Sequence, residues 1–257
     1  MTARVAVLRG RTSDRTADGA RGALALGEAL GERLGVAPVL VGDPGAPRAG
    51  TWEDDLRDAA PALADAARTV GDALDAGERP VLLSGDCTVS MATLPALVRR
   101  EPEVRVVWLD AHGDFNTPGT TASGFLGGMC LAAACGRWDG GFGAGVDPAR
   151  VVLADARDLD APEREELEAA GIAPIATADV ADAVRGERVF LHLDLDVLDP
   201  SEMPCTFPAP GGLAMEDLRA LLADLAGAAD VVGVEVASMA APAPAARVAG
   251  MLLPLLR

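Results

Sequence analysis

The 257 residues include no lysine, no tyrosine and only two histidines, and aromatic side chains make up 3% of the chain. With so few rings, a core has to be packed from Ala, Val and Leu; half of all residues are hydrophobic, enough for a sizeable one. The missing lysine leaves arginine as the whole basic complement, a coding bias from which no function is taken. Acidic residues outnumber basic ones by 39 to 22, a formal net charge of −17. Such a surface repels phosphate, which speaks against nucleic acid or an anionic membrane as partner, and part of the charge is expected to be held by bound cations. No apolar run approaches the roughly 20 residues of a membrane helix, and the opening "MTARVAVLRG" is charged too early for a secretory signal, so a cytoplasmic location is expected. Four cysteines without regular spacing argue against a disulfide framework or a zinc knuckle and read as reduced thiols.

What is present is alternation. Eight short runs rich in β-branched residues, among them "RVAVLRG", "RPVLLSGD", "VRVVWLDAH", "IAPIAT", "RVFLHLDLDV" and "VVGVEVAS", are separated by Ala/Leu-rich stretches of helical periodicity at 55–77 and 216–229. Near-continuous apolar runs are the mark of strands buried on both faces, so the pattern predicts an α/β fold with an eight-stranded, mostly parallel sheet. No low-complexity linker or repeat divides the chain, and residues 1–257 are read as one domain. Alternation alone leaves both a closed barrel and an open sheet between two helical layers, and either places ligands at the carboxyl ends of the strands.

The residues at those ends are acidic. "WLDAHGDFNTP" carries Asp110, His112 and Asp114, which share one side of an extended chain because the side-chain period is two, and in "FLHLDLDVLDP" the same holds for His192, Asp194 and Asp196. Acidic residues at strand ends also cap helices, so either motif alone says little; with Glu235 closing a third strand, capping no longer accounts for the set. That much like charge calls for a bound cation or a cationic substrate. Oxygen-rich donors with one imidazole suit manganese, and bridging carboxylates suit a pair of ions about 3.5–4 Å apart. Cys87, in "LSGDCTVS", sits where another apolar run stops; a cysteine there is ordinarily a small buried hydrophobe.

In this order, "SGDCT", "DAHGD", "DLDVLDP" and "VEVAS" resemble the motifs of the arginase/agmatinase/formiminoglutamase ureohydrolases: Gly-Gly-Asp-His-Ser, Asp-Ala-His-x-Asp, Asp-x-Asp-x-x-Asp-Pro and a late Glu. The resemblance implies the open three-layer α/β/α sandwich rather than the barrel. It implies two Mn2+ ions per chain, with Asp110 and Asp194 bridging, Asp114 completing one ion, and His112 and Asp196 the other. Cys87 then falls on the family's histidine ligand to the first ion, and a thiolate there favours zinc over manganese. Glu235 would pair with the substrate guanidinium, and Asp114 would also pass a proton to the leaving amine. His192, at a position the family often fills with a small polar residue, is expected behind the ligands or as a core histidine, and Asp199 is expected to brace its own loop.

The same resemblance implies an amino-acid substrate, with Asn116 and Ser123 on its carboxylate and Asp160 on its amino group; Asp160 also reads as a helix cap. Phe125 and Gly127 depart from arginases, which have a carboxylate-binding Asn and a proton-shuttling His there. With Cys87, these departures look like a divergent branch similar to the Nω-hydroxy-L-arginine hydrolases of D-cycloserine biosynthesis, whose more readily attacked substrate suits a weakened catalyst. The expected reaction is hydrolysis of Nω-hydroxy-L-arginine or L-arginine to ornithine with hydroxyurea or urea. A degenerate binding subunit, a hydrolase of another guanidino compound and a single-zinc amide hydrolase remain as alternatives. The family's habit implies a homo-oligomer. Cys130, Cys135 and Cys205 read as packing residues.

Overall fold

A computed structural model of the chain describes residues 1–257. The apolar runs form β1 (Ala3–Leu8), β2 (Val39–Val41), β3 (Arg79–Leu83), β4 (Arg105–Asp110), β5 (Val151–Asp155), β6 (Arg188–Asp194) and β7 (Asp230–Ala237). They pair in the order β2-β1-β3-β7-β6-β4-β5, and every pairing is parallel. The sheet therefore has seven strands rather than eight. "IAPIAT" contributes only an isolated bridge from Ile175 to Ala154, because Pro174 has no N–H to donate and the segment is largely exposed.

The connections supply the two outer layers. Helices α1 (Asp18–Leu34), α6 (Val180–Ala183), α7 (Met215–Ala228) and α8 (Ala245–Leu252) cover one face. On the other lie α2 (Trp52–Asp75), α3 (Ser90–Val98), α4 (Cys130–Ala134) and α5 (Ala161–Ala170). The periodic stretches at 55–77 and 216–229 correspond to α2 and α7. Strand residues alternate between the layers, as in β4, where Val107 and Leu109 join the first core and Val106 and Trp108 the second. Trp108, Phe115 and Phe190 are the only aromatic side chains among the largest fully buried ones, so aliphatic packing does the rest.

One row across the sheet matters for the site. Leu82, Glu235, His192, Trp108 and Leu153 are register partners on successive strands and point to the α3–α4 side. Two residues further along their strands, one pleat closer to the carboxyl edge, lie Asp110 and Asp194.

Candidate metal centre

The strand ends turn sharply into their loops, and short hydrogen bonds fix the side chains there. Asp86 caps the turn at 87–89 by accepting from the Thr88 amide (2.9 Å), while its other oxygen accepts from the Thr12 hydroxyl (2.8 Å) and the Ser13 amide (3.0 Å). That ties the loop after β1 to the one after β3 and buries Cys87 behind it. Asp110 accepts from the His112 amide (2.7 Å) and from Trp108 Nε1 (3.1 Å). Asp194 accepts from the Asp196 amide (2.7 Å) and from Ser238 Oγ (2.6 Å). Asp114, Asp155, Ala156 and Ser238 all take positive φ, at 48°, 73°, 44° and 59°. Non-glycine residues in that region store strain, and its concentration along one edge of the sheet marks the edge as built for something other than stability.

The sequence motifs converge. Cys87 Sγ stands 2.7 Å from Asp194 Oδ2 and 3.9 Å from Asp110 Oδ2. His112 Nδ1 lies 3.1 Å from Asp196 and 3.4 Å from Asp110. Asp114 accepts from the thiol of Cys130, which is thus more than packing. Two donor groups emerge, Cys87–Asp110–His192 and Asp110–His112–Asp196, each with its donor atoms within 4.8 Å of one another and with Asp110 in common.

Burial sets the electrostatics. It holds the Asp114 carboxyl well above the usual carboxylate range, with Asp110 adding to the effect, and pushes Asp194 up to about 6 with Asp196 second. Cys87 is raised by burial and then by Asp194. For His112, burial opposes the charged ring, but hydrogen bonds to Asp110 and Asp196 together outweigh it and push the imidazole up to about 12. One imidazolium thus faces four carboxylates and a thiol, a donor set short of positive charge. Carboxylate oxygens with an imidazole fit manganese, and the thiol adds a soft donor at one end, so the residues fit the two cations the motifs imply.

These shifts carry a sign that can be checked. Asp194, together with Asp14 and Glu163, both pushed up to about 7 chiefly by burial, has a folded pKa above its unfolded value. Each therefore favours the folded state fully below about pH 4 and loses that contribution as pH rises through 6 to 7. The melting temperature of metal-free protein should fall between pH 5 and pH 8, while added metal, which needs the deprotonated donors, should raise it more at pH 8 than at pH 5. Thermal melts with and without a chelator check this; a metal-free melting temperature that rises over this range would contradict it.

Above the ligands opens a cavity of about 410 Å³, within the range of small-molecule sites. Cys87, His112, Asp114, Asp194 and Asp196 line it, as do Asn116, Ser123 and Asp160. Asp160 caps α5 through the Glu163 amide (2.8 Å) and accepts from Asn116 Nδ2 (3.3 Å), while Asn116 Oδ1 is buried without a partner. Phe125 also faces the cavity, and a Cβ at Gly127 would lie 2.5 Å from its ring, so the two departures are coupled: the ring occupies the space a side chain at 127 would need. Asp199 braces its loop, accepting from Ser201 (2.6 Å) and Gly211 (3.1 Å).

Glu235 requires a correction. It is completely buried and does not line the cavity. One oxygen takes the Ser90 hydroxyl and His192 Nδ1 (2.9 Å), the other the Thr93 hydroxyl (2.6 Å). The reason is register, since Glu235 is two residues short of the end of β7 and so one pleat below the ligand layer. In this arrangement its carboxylate faces His192 rather than a substrate. Sequence reasoning also missed Arg15 and Phe207. Arg15 follows β1 and lines the cavity with its guanidinium over Phe125 (5.2 Å) and Phe207 (5.9 Å). Its signal was positional: the loop after β1 leaves the same carboxyl edge as the acidic motifs.

Comparison with known proteins agrees with this architecture. The arginase family model matches residues 39–249. The chain is 39% identical over 246 residues to an N(omega)-hydroxy-L-arginine amidinohydrolase of Streptomyces lavendulae, spanning 94% of this chain and 90% of that protein. It is 34% identical over 183 residues to an arginase of Brevibacillus brevis, spanning 63% and 61%. The crystal structure of arginase from Bacillus cereus superposes with a TM-score of 0.86 at 26% identity, covering 99% of this chain and 98% of that one. With its parallel three-layer sheet and the ordered acidic motifs at one edge, the chain belongs to the arginase family, and with it to the hydrolases that act on the C–N bonds of linear amidines.

Proposed function

We propose that this protein hydrolyses the guanidino group of an amino acid, Nω-hydroxy-L-arginine in preference to L-arginine, releasing ornithine with hydroxyurea or urea. The observation that carries the reading is the charge layout of the cavity. Eight of its lining residues are carboxylates, the only guanidinium is that of Arg15, and Arg15 makes no ion pair. A molecule with a cationic or polar amidine at one end and a carboxylate at the other matches that polarity. The amidine goes in toward Asp194 and Asp196, and the carboxylate stays out by Arg15, Asn116 and Ser123. The 39% identity to a hydroxyarginine amidinohydrolase supports the N-hydroxylated substrate. So does the ring of Phe125 over Gly127, which leaves no room there for a proton-shuttling side chain.

In this reading Cys87, Asp110, His112, Asp114, Asp194 and Asp196 hold two divalent cations, manganese at least in the second position. When bound there, such cations would contribute Lewis acidity, which lowers the pKa of water and polarises an amidine. The protein's own groups position the rest. Asp194 is oriented by Ser238, Asp196 by the Ala111 amide (3.2 Å) and His112, and Asp114, buried against Cys130, is placed to pass a proton to the departing amine. Asp160, already engaged with Asn116, offers its remaining capacity to the α-amino group. The hydroxyl on the substrate withdraws electrons and lowers the basicity of the guanidine, so its carbon yields to a less complete catalyst.

The orientation has a direct test. Arg15→Ala should raise KM for hydroxyarginine roughly 10-fold or more, the scale of a lost charge-assisted hydrogen bond, with kcat changed much less. Hydrolysis of the decarboxylated analogue should hardly respond. Equal effects on both substrates would show that Arg15 does not read the carboxylate, and no turnover of either amino acid by the unaltered protein would remove the reading itself.

A further inference from the structure

The thiol of Cys87 does not stand alone. His192 Nε2 lies 3.3 Å from its sulfur, and Nδ1 of the same ring lies 2.9 Å from Glu235 Oε1 and 3.0 Å from Ser90 Oγ. All of these residues are buried, His192 and Glu235 completely. Glu235 accepts from Ser90 and Thr93 as well, so it is a carboxylate surrounded by donors, and the hydrogen of His192 belongs on Nδ1, facing it. The Nε2 lone pair is then directed at the space beside Cys87. Trp108 stacks on the ring with centroids 3.6 Å apart and planes 8° from parallel, and the same indole donates to Asp110. Ring plane, tautomer and direction are all fixed by neighbours on β4 and β7 and on α3.

A histidine whose outer nitrogen is held by a buried carboxylate while its inner nitrogen faces a cysteine, with a donor atom of Asp110 within 4.8 Å, has the usual arrangement of a metal-binding imidazole. The separations agree: 3.3 Å from sulfur to Nε2 and 3.9 Å from sulfur to Asp110 Oδ2 bracket the roughly 3.5 Å edge of a tetrahedron with ligands at about 2.0–2.3 Å. We infer that His192 is a ligand of the first metal position, forming with Cys87 and Asp110 a nitrogen–sulfur–oxygen site that takes zinc, and that Glu235 is its positioning residue. The neighbouring group of Asp110, His112 and Asp196 has no sulfur and keeps the preference of an oxygen-rich site for manganese. The two positions sharing Asp110 are therefore chemically unlike, and the chain's two histidines serve one each. This inference concerns metal binding alone and stands whether or not the substrate reading above holds.

X-ray absorption at the zinc edge of the full-length protein, loaded with one equivalent of zinc, tests it. The expected spectrum shows one sulfur at about 2.3 Å and one imidazole at about 2.0 Å. His192→Asn should remove the imidazole scattering and keep the sulfur, and Glu235→Gln should keep both while weakening zinc binding roughly 10- to 100-fold in a competitive chelator titration. Zinc without sulfur, or an imidazole signal that persists in the His192 variant and so comes from His112, would overturn the assignment. Should the His192 variant fail to fold, unchanged zinc affinity in Glu235→Gln would count against it equally.

Discussion

Asp196→Ala should abolish hydrolysis, by roughly 10³-fold or more in kcat/KM, while the protein remains folded. Asp196 sits on the short turn just past β6, where one oxygen accepts from the Ala111 amide and the other faces His112 Nδ1. Removing it takes a carboxylate from the proposed second cation position and leaves His112 with Asp110 as its remaining close partner. The fold should survive this, because burial and Asp110 hold the Asp196 carboxyl above its ordinary range, which offsets part of what His112 and the Ala111 amide lose with their partner. Circular dichroism should be unchanged, and the rise in melting temperature on adding manganese should shrink. A variant that still turns over substrate at a near-native rate would end the two-cation account.

The second large effect concerns Cys87 and His192 together. Replacing Cys87 by histidine should bring the first position closer to an ordinary arginase, but His192 Nε2 is only 3.3 Å from the sulfur, in a region with almost no exposure. The single variant is thus overpacked and should lose about 1–3 kcal/mol of stability, with little gain in activity. Cys87→His combined with His192→Ser makes room for the new ring. It should shift metal preference toward manganese and raise turnover of L-arginine roughly 10-fold or more. Metal content after loading from an equimolar mixture, together with arginine kinetics of the single and double variants, checks this. A single variant as stable and as active as the double one would show that the two side chains do not compete for the same space.

Much of this architecture was legible before any coordinates. Apolar runs such as "RVVWLD" and "RVFLHLD" announced doubly buried strands because they are almost continuously apolar, His192 alone breaking the second, and their acidic ends marked the edge at which a ligand site forms. "IAPIAT" misled because its composition is strand-like while Pro174 denies it a ladder. The convergence of Cys87, His112, Asp114, Asp194 and Asp196 followed from motif order. The place of Glu235 did not, because depth within a parallel sheet depends on register, and a residue two positions from the end of β7 looks, in a linear string, as terminal as one at the end. His192 was ambiguous for the same reason. It shares a face with Asp194, but only its register partners Trp108 and Glu235 show which nitrogen points where. Arg15 escaped notice because a lone arginine in a loop carries no motif, and only the folded cavity isolates it among eight carboxylates.

The central claim is that this carboxylate-lined cavity processes a guanidino amino acid whose N-hydroxyl offsets the unusual metal position. Ornithine release by the metal-loaded protein, measured side by side for Nω-hydroxy-L-arginine and L-arginine, tests it most directly. The account predicts a kcat/KM at least roughly 10-fold higher for the hydroxylated substrate, because a less basic guanidine demands less of the catalyst. L-arginine hydrolysed as fast or faster would contradict it.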